Sequence, residues 1–258
     1  MKRSVTIGTG ALLFLIPVAV SASDHHNLDE GLPLLLRDAY PIGLNGIEAQ
    51  GLFRYERGRR GKGLDAYRFE PRLEWGAFRD GQLAIRLPYT AGNSEKSGQG
   101  LAGASLLYNF NQEGLLLPAF ALEAEVAQRF GERSGGGAES TLWAIATKSI
   151  GGYSLRRINL NLGWTHRYDP QPLERRDLYT AVVGFQQALG PDTMLVVNYV
   201  REQQERRQQD ANIVGVGFRY QLNPRTVLSL GGGVGIGRDS PAVQAIVGVQ
   251  YSLSWPPN

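Results

Sequence analysis

The feature that most constrains the fold is an alternation of apolar and polar residues, repeated in runs of about ten between residues 46 and 255. In the run over 67–77, mostly aromatic and aliphatic residues occupy one set of alternate positions, and arginine and glutamate occupy most of the other set. Side chains of a β-strand point alternately to opposite sides, so each run predicts a strand with one apolar and one polar face. Soluble sheets commonly use strands of about five or six residues, whereas a tilted strand needs about nine to eleven to cross a bilayer. The pattern therefore predicts an all-β protein, a transmembrane antiparallel up-and-down β-barrel with a polar interior.

Short and long connectors alternate between the runs, which number about twelve, with about ten to fourteen possible. Gly190-Pro191-Asp192 is a compact turn, whereas 169–176 and 203–211 are longer and polar. Outer-membrane barrels have short turns at the periplasmic rim and longer loops outside, and an even strand number brings both ends of the barrel to the periplasmic side. We therefore expect a barrel over 46–255 in the bacterial outer membrane, followed by a short tail over 256–258.

The first residues are typical of a secretory signal peptide, which we expect over 1–22. Lys2 and Arg3 supply the positive start, 11–20 is the apolar stretch, and a small-residue cleavage site ends it. A transmembrane anchor is the alternative, but the apolar run is too short to span a bilayer and Pro17 interrupts it. The chain is therefore expected to be exported.

Residues 23–45 lack the alternation of the following runs. This segment either lies along the periplasmic side or rim of the barrel, or folds into the lumen as a partial plug. The periplasmic or rim position is the interpretation that we favour.

Composition excludes several classes of function. The chain has no cysteine, so it forms no disulfide and has no thiolate chemistry. Loss of Lys2 and Arg3 with the signal peptide lowers the basic residues from 27 to 25, against 24 acidic residues. The exported chain is then nearly neutral, and without a basic helix or an arginine-rich run it is not expected to bind nucleic acid.

Charged residues concentrate on the predicted inward faces of the early strands. Neighbouring strands lie about 5 Å apart, so arginines and glutamates on adjacent strands are close enough to pair. Two interpretations remain open: a polar pore that sorts solutes by size and charge, or an ion-paired network that fills a narrow barrel. The candidate lumen-lining residues are Glu48, Arg54, Glu56, Arg68, Glu70, Arg72, Glu74, Arg86, Glu123 and Glu125.

The later strands have small or neutral residues at their predicted inward positions, among them Gly184, Gly215, Gly217 and Gly248. Small side chains on one wall leave space opposite the charged wall. This asymmetry predicts a passage or a pocket on the neutral side of the lumen.

Some outer-membrane barrels are lipid hydrolases, which use a lipid-facing serine and histidine, so the three histidines need examination. His166 is predicted to face outward near the outer rim, but Ser140, at a suitable height on the adjacent strand, is assigned to the inward register. His25 and His26 lie beside aspartates near the cleavage site, where a flexible terminus rarely arranges metal ligands in advance. We therefore predict an interfacial histidine, no catalytic residue, no metal site and no cofactor.

Several segments resemble outer-membrane proteins of the family known as the MetA pathway of phenol degradation. They include Arg37-Asp38-Ala39-Tyr40-Pro41-Ile42-Gly43, Leu117-Pro118-Ala119-Phe120-Ala121 and Leu160-Asn161-Leu162-Gly163. The resemblance covers most of the exported chain in strand and turn segments. It implies a barrel channel that admits aromatic compounds, and it implies no catalytic residue.

The sequence thus favours passive transport of small solutes, aromatic or hydrophobic ones included, through a monomeric barrel. A non-conducting structural or interaction barrel with a salt-bridged lumen is the main alternative, and a membrane-embedded lipid hydrolase is a further one. The expected partners are membrane lipid, the small solutes and lipopolysaccharide, whose phosphates Arg206 and Arg207 could bind.

Overall fold

A computed structural model describes residues 26–59, 65–94, 97–132, 136–151, 156–206 and 208–253. The expected signal peptide over 1–22 and the tail over 256–258 lie outside these ranges. The described residues form thirteen β-strands. The strands are β1 (Ile47–Arg57), β2 (Asp65–Phe78), β3 (Gly81–Arg86), β4 (Tyr89–Gly92), β5 (Gln99–Asn109), β6 (Ala119–Phe130), β7 (Ala138–Ser149), β8 (Arg156–Arg167), β9 (Asp177–Ala188), β10 (Thr193–Gln203), β11 (Asp210–Asn223), β12 (Thr226–Ile236) and β13 (Val243–Ser252).

The sheet closes on itself. Each strand is antiparallel to its neighbours, and β1 pairs with both β2 and β13. Closure lets the sheet satisfy its own backbone hydrogen bonds and leaves no open edge, which a bilayer requires of any sheet that spans it. Among the described residues, no helix is long and apolar enough to cross a membrane.

Two of the thirteen strands, β3 and β4, are halves of one crossing. Both pair with β2 on one side and β5 on the other. The crossing is interrupted at Pro88, which has no backbone N–H to donate to the ladder. The Leu87 N–H still donates to the carbonyl of Pro71 at 3.1 Å, and Leu101 N–H donates to the carbonyl of Pro88 at 3.0 Å. The barrel therefore has twelve crossings, which confirms the predicted fold and strand number.

The outer face of the barrel is apolar. Large side chains remain exposed at alternate positions, for example Ile85 at 58%, Val126 at 66% and Leu230 at 59%. Water would make such a surface unfavourable over a whole barrel, whereas lipid does not. Together with the closed antiparallel sheet, this surface places the protein in the bacterial outer membrane.

The N-terminal segment lies inside the barrel. We call residues 26–45 the plug. Leu32, Leu34 and Leu36 are 2%, 1% and 1% exposed, and they pack in one buried cluster with inward residues of several strands. The favoured rim position was therefore wrong, and the lumen alternative is the correct one. A segment without strand periodicity fits the lumen because its apolar side chains find apolar partners there.

Candidate functional site: the lumen and its plug

The inward faces of β1 to β6 form one side of the lumen, which we call the charged wall. Arg72 lies at its centre with a side chain only 9% exposed. One guanidinium nitrogen lies 2.8 Å from a Glu70 oxygen, and the other lies 3.4 Å from Glu74. A buried arginine is tolerated only when carboxylates surround it, so Arg72 and its two glutamates stabilise one another.

Arg86 extends the charged wall from β3 to β6. Its Nε and Nη2 atoms donate to the two carboxylate oxygens of Glu125 at 2.6 and 2.7 Å. Arg68 bonds Glu70 at 2.8 Å on the same wall. The bidentate pairing of Arg86 with Glu125 fixes the relative position of the two side chains as well as balancing their charges.

The remaining sequence-predicted residues lie on the same wall with different partners. Arg54 and Glu56 are 3.8 Å apart and partly exposed. Glu48 is buried and accepts a hydrogen bond from Gln250. Glu123 lies 3.0 Å from Arg37, a plug residue. The structure thus brings the ten candidates to one wall, and their role in selectivity stays a prediction.

The plug contributes its own charges to this network. Glu30 pairs with Arg37 and lies 3.6 Å from Arg72 and 4.0 Å from Arg86. Asp38 accepts a hydrogen bond from the Leu28 N–H at 2.9 Å. The sequence analysis missed these residues because their strand partners are fixed only once the segment enters the barrel.

The inward faces of β9 to β13 form the opposite side, which we call the glycine wall. A Cβ at Gly248 would lie 2.1 Å from Leu32 Cδ2, and one at Gly184 would lie 2.3 Å from Leu36 Cδ2. At Gly231, the atom in the way would be the Pro33 carbonyl oxygen, at 2.4 Å. The space expected as a passage is therefore occupied by the plug. The prediction that the glycines leave space in the lumen was correct, but the sequence did not show which residues fill that space.

Two asparagines and an arginine of the barrel form hydrogen bonds with the plug's backbone. Asn161 accepts from the Arg37 N–H at 2.8 Å and donates to the Arg37 carbonyl at 2.9 Å. Asn198 donates to the Leu35 carbonyl at 2.9 Å, and Arg219 donates to the Leu32 carbonyl at 3.0 Å. Buried backbone groups without partners are costly, so these contacts are what allow an irregular segment to occupy the lumen.

One group of carboxylates lies close together among the described residues. Ligand atoms of Asp29, Glu48 and Glu74 are within 4.8 Å of one another. Gln50 Nε2 donates to Asp29 at 3.0 Å and to Glu74 at 2.9 Å. Because amide groups already donate to all three carboxylates, including Gln250 to Glu48, the group is a part of the plug's docking network.

The plug is also fastened at the short-turn rim. The Tyr40 hydroxyl donates to Glu113 at 3.2 Å, and the same carboxylate accepts from Lys148 and Ser149 at 2.8 Å each. Burial by itself would raise the pKa of Glu113, but the hydrogen bonds from Lys148 and Ser149 outweigh it and lower the pKa below its ordinary value. Glu113, in the connection between β5 and β6, is thus an anion that ties the end of the plug to the end of β7.

At the long-loop end, two loops fold over the lumen. Arg167 Nη2 donates to Glu205 at 2.9 Å, and Arg167 Nε lies 3.4 Å from Glu139. Arg129 lies 3.4 Å from Glu174. Arg175 N–H donates to the carbonyl of Glu205 at 2.8 Å, which joins the loops to each other. Arg206 forms an isolated bridge with Glu174, and Arg207 lies outside the described residues.

The structure corrects the register of Ser140. It lies two residues before Leu142, which is 42% exposed on the outer face, so Ser140 also faces outward. Trp143 is the inward residue, with the guanidinium of Arg37 4.4 Å from the ring centroid. Adjacent large apolar residues at 142 and 143 make the alternation ambiguous in the sequence. His166 faces outward as predicted, His26 lies in the plug, and His25 lies outside the described residues.

Comparison with known proteins supports the architecture. No model of a protein family and no curated protein sequence matches the chain. Among solved structures it is similar to the COG4313 outer membrane channel from Pseudomonas putida F1, at 13% identity and a TM-score of 0.60, over 88% of this chain and 100% of that one. It is also similar to the KdgM porin in complex with oligogalacturonate, at 12% identity and a TM-score of 0.56, over 80% and 99%. The CymD monoaromatic hydrocarbon channel matches at 9% identity and a TM-score of 0.50, over 83% and 90%. At such identities the likeness establishes the fold, that of outer-membrane channel barrels.

Proposed function

We propose that this protein is an outer-membrane channel for small solutes that the plug keeps closed at rest. The observation that carries the proposal is the fit between plug leucines and inward glycines, illustrated by Leu36 at Gly184 and Leu32 at Gly248. A barrel that only needed a filled core could place large side chains on its own strands. Glycines matched to a separable segment leave a continuous space once that segment moves.

The cargo class that we propose follows from what the plug covers. Inward residues behind its leucines include Val182, Val196, Ile213 and Ile246, all buried and apolar. With the plug displaced, this half of the lumen would present an apolar surface opposite the charged wall. Such a passage suits small solutes with an apolar body, aromatic compounds included, because they can lie along the apolar half.

A permanently closed scaffold is the second candidate. The observation in its favour is Arg37, which is 5% exposed and pairs with Glu30 and Glu123 while its backbone bonds Asn161 at both polar groups. A plug held in this way could be a fixed part of the core, in the way that small barrels are filled by side chains.

A reversible lock on the plug separates the two candidates. The double substitution Leu36→Cys and Gly184→Cys introduces two thiols at this contact. Leu36 Cγ lies 3.0 Å from a Cβ built at residue 184, so the two cysteines would be close enough to form a disulfide. The natural chain has no cysteine, so the new pair is the only one that can form. In planar bilayers we expect unit current steps from the wild-type protein and the reduced variant, and none from the oxidised variant. Each single cysteine variant is the control.

The same measurement tests the cargo class. Phenol added to the bath should interrupt the wild-type current more than the same concentration of glucose. Equal block by both solutes would contradict the apolar cargo while leaving the channel. Silence of the wild-type and reduced proteins under all voltages would instead support the closed scaffold.

A further inference from the structure

Three adjacent strands bring a serine, a histidine and an aspartate into line on the outer face of the barrel. Ser140 on β7 is the direct cross-strand partner of His166 on β8, and His166 is the direct partner of Asp177 on β9. The next outward row is formed by Leu142, Trp164 and Tyr179, which are partners in the same way and 42%, 41% and 58% exposed. Because strand side chains keep the same face at every second position, the three polar residues also face lipid, at the long-loop rim.

Asp177 orients the histidine. His166 Nδ1 lies 2.8 Å from Asp177 Oδ1, and Trp164 Nε1 donates to the same oxygen at 3.0 Å. A histidine that gives its Nδ1–H to a carboxylate keeps Nε2 as its basic nitrogen. This is the arrangement in which an imidazole accepts a proton from a serine, while the carboxylate holds the ring and stabilises the imidazolium.

Ser140 is placed to use that base. Directly opposed residues of an antiparallel pair have Cβ atoms about 4.5–5.5 Å apart, so rotation about one side-chain bond moves the serine oxygen toward or away from the imidazole. In the structure the Ser140 hydroxyl lies 3.3 Å from the Tyr168 hydroxyl, and the Tyr168 ring meets the His166 ring edge-on at 5.1 Å. Exposed side chains change rotamer in about picoseconds to nanoseconds, so this step does not limit a reaction. The Tyr168 O–H is the available donor for an oxyanion formed at the serine.

A shallow apolar depression on the outer face lies beside these residues, which we call the groove. It has a volume of about 970 Å³ and reaches Ala138 and Tyr168 from the neighbouring strands. Its outward lining is largely apolar, with the small Ala102 and Ala104 lying between the larger Leu73, Ile85 and Val126. A depression of this size and polarity fits an acyl chain lying along the barrel surface.

We propose that Ser140, His166 and Asp177 form a serine hydrolase site for acyl esters of membrane lipids, with the acyl chain in the groove. This inference is independent of the channel, because it concerns the outer face alone. Ser140 Oγ bonds to the ester carbonyl carbon, and its proton passes to His166 Nε2 and then to the departing alcohol as the ester C–O bond breaks. Water then attacks the acyl-serine, His166 transfers the water proton to Ser140 Oγ, and the free fatty acid leaves. Tyr168 donates to the carbonyl oxygen in both steps.

The test uses the full chain, folded in detergent micelles, with para-nitrophenyl decanoate as substrate and a fluorophosphonate as the covalent probe. Correct folding of each variant is checked by its heat-modifiable migration on gels. We expect ester hydrolysis and fluorophosphonate labelling on Ser140. Ser140→Ala should abolish labelling and lower the rate on the order of a hundredfold or more, and Asp177→Asn should lower the rate by a comparable factor. Tyr168→Phe should retain labelling and slow hydrolysis about tenfold to a hundredfold.

Thr141→Ala is the matched control, because Thr141 adjoins Ser140 in sequence but bonds Thr165 at 2.9 Å on the other face. It should hydrolyse the ester at the wild-type rate. The site is refuted if folded wild-type protein is neither labelled nor active. It is equally refuted if Ser140→Ala retains wild-type labelling and rate, since the activity would then come from another enzyme in the preparation.

Discussion

The charged wall and the glycine wall hold the same plug by different physical means. On the charged wall the plug is one member of a network in which Glu30 joins Arg37, Arg72 and Arg86. On the glycine wall the contact is mainly one of shape, with Leu32 over Gly248, and Asn198 and Arg219 donate hydrogen bonds to plug backbone carbonyls.

The difference indicates where the plug is more easily separated. Breaking a buried ion pair leaves a charge without a partner, which is strongly unfavourable in a dehydrated lumen. Separating an apolar contact costs free energy roughly in proportion to the apolar surface that becomes exposed. A solute with an apolar body can cover part of that surface. We therefore expect the plug to hinge on the charged wall and to leave the glycine wall first.

The largest expected effect comes from the centre of the charged wall. Arg72→Ala removes the cation that contacts Glu74 and one of the cations beside Glu70 and Glu30, and it should lower the free energy of unfolding by about 3–5 kcal/mol. Denaturant unfolding in lipid vesicles measures this. Arg201→Ala is the control, since Arg201 is 63% exposed and pairs with Asp210 at 3.3 Å, an interaction worth at most about 1 kcal/mol. Equal losses in the two variants would contradict a dehydrated charged wall.

On the outer face, a charge should cost about the same outside the charged wall as outside the glycine wall. Ile85 lies outside the charged wall and Leu230 lies outside the glycine wall, and both are exposed to lipid. Ile85→Arg and Leu230→Arg should each cost about 2–4 kcal/mol near the midplane, because lipid solvates neither charge. The inward neighbour Ala84→Arg should cost less if the lumen has room for the side chain. Costs well below about 2 kcal/mol for both Ile85→Arg and Leu230→Arg would contradict the assignment of these side chains to the lipid face.

A methyl group on the glycine wall should loosen the plug. A Cβ at Gly231 would lie 2.4 Å from the Pro33 carbonyl oxygen, a backbone atom that cannot move without the plug. Gly231→Ala should therefore destabilise docking by about 1–3 kcal/mol, visible as faster proteolysis of the plug and more frequent current steps. Gly232→Ala is the matched control on the next residue, where the nearest atom within 4 Å would be at 3.3 Å. Similar proteolysis of the two variants would contradict the shape-based contact.

The smallest effect is expected at the boundary of the two walls. Asn161→Ala removes the two hydrogen bonds to the Arg37 backbone, each worth about 0.5–1.5 kcal/mol net, and should cost about 1–3 kcal/mol. Hydrogen exchange at the Arg37 amide measures the loss directly. Unchanged protection of that amide would show that the ion pairs alone hold this part of the plug.

Much of the barrel could be predicted from the sequence because strand periodicity is a local property. The alternation of Leu83, Ile85 and Leu87 with Ala84 and Arg86 is enough to predict a strand and its two faces. The alternating connector lengths indicated which rim carries the short turns and which carries the long loops. The charged wall was predicted for the same reason, since arginines and glutamates on neighbouring strands must face each other once the strands pair.

Local patterns failed where partners are distant or where the alternation is ambiguous. Leu142 and Trp143 are adjacent and both large, so the sequence alone did not show which of them faces lipid, and Ser140 was assigned to the wrong face. The structure settles this because β7 must match Trp164 and His166 on β8 in register. A one-residue shift of register reverses every side chain of a strand.

The sequence by itself determined a barrel of about twelve crossings with an apolar exterior, a charged wall and a wall of small residues. Only the tertiary structure decided that residues 26–45 fill the lumen and that Ser140, His166 and Asp177 lie in one row. The alternation of a strand depends only on neighbouring residues, so the sequence shows it directly. The plug has no periodicity, and its contacts join residues more than a hundred positions apart, such as Arg37 and Asn161. Such contacts exist only after the ring of strands has closed and set the distances across the lumen.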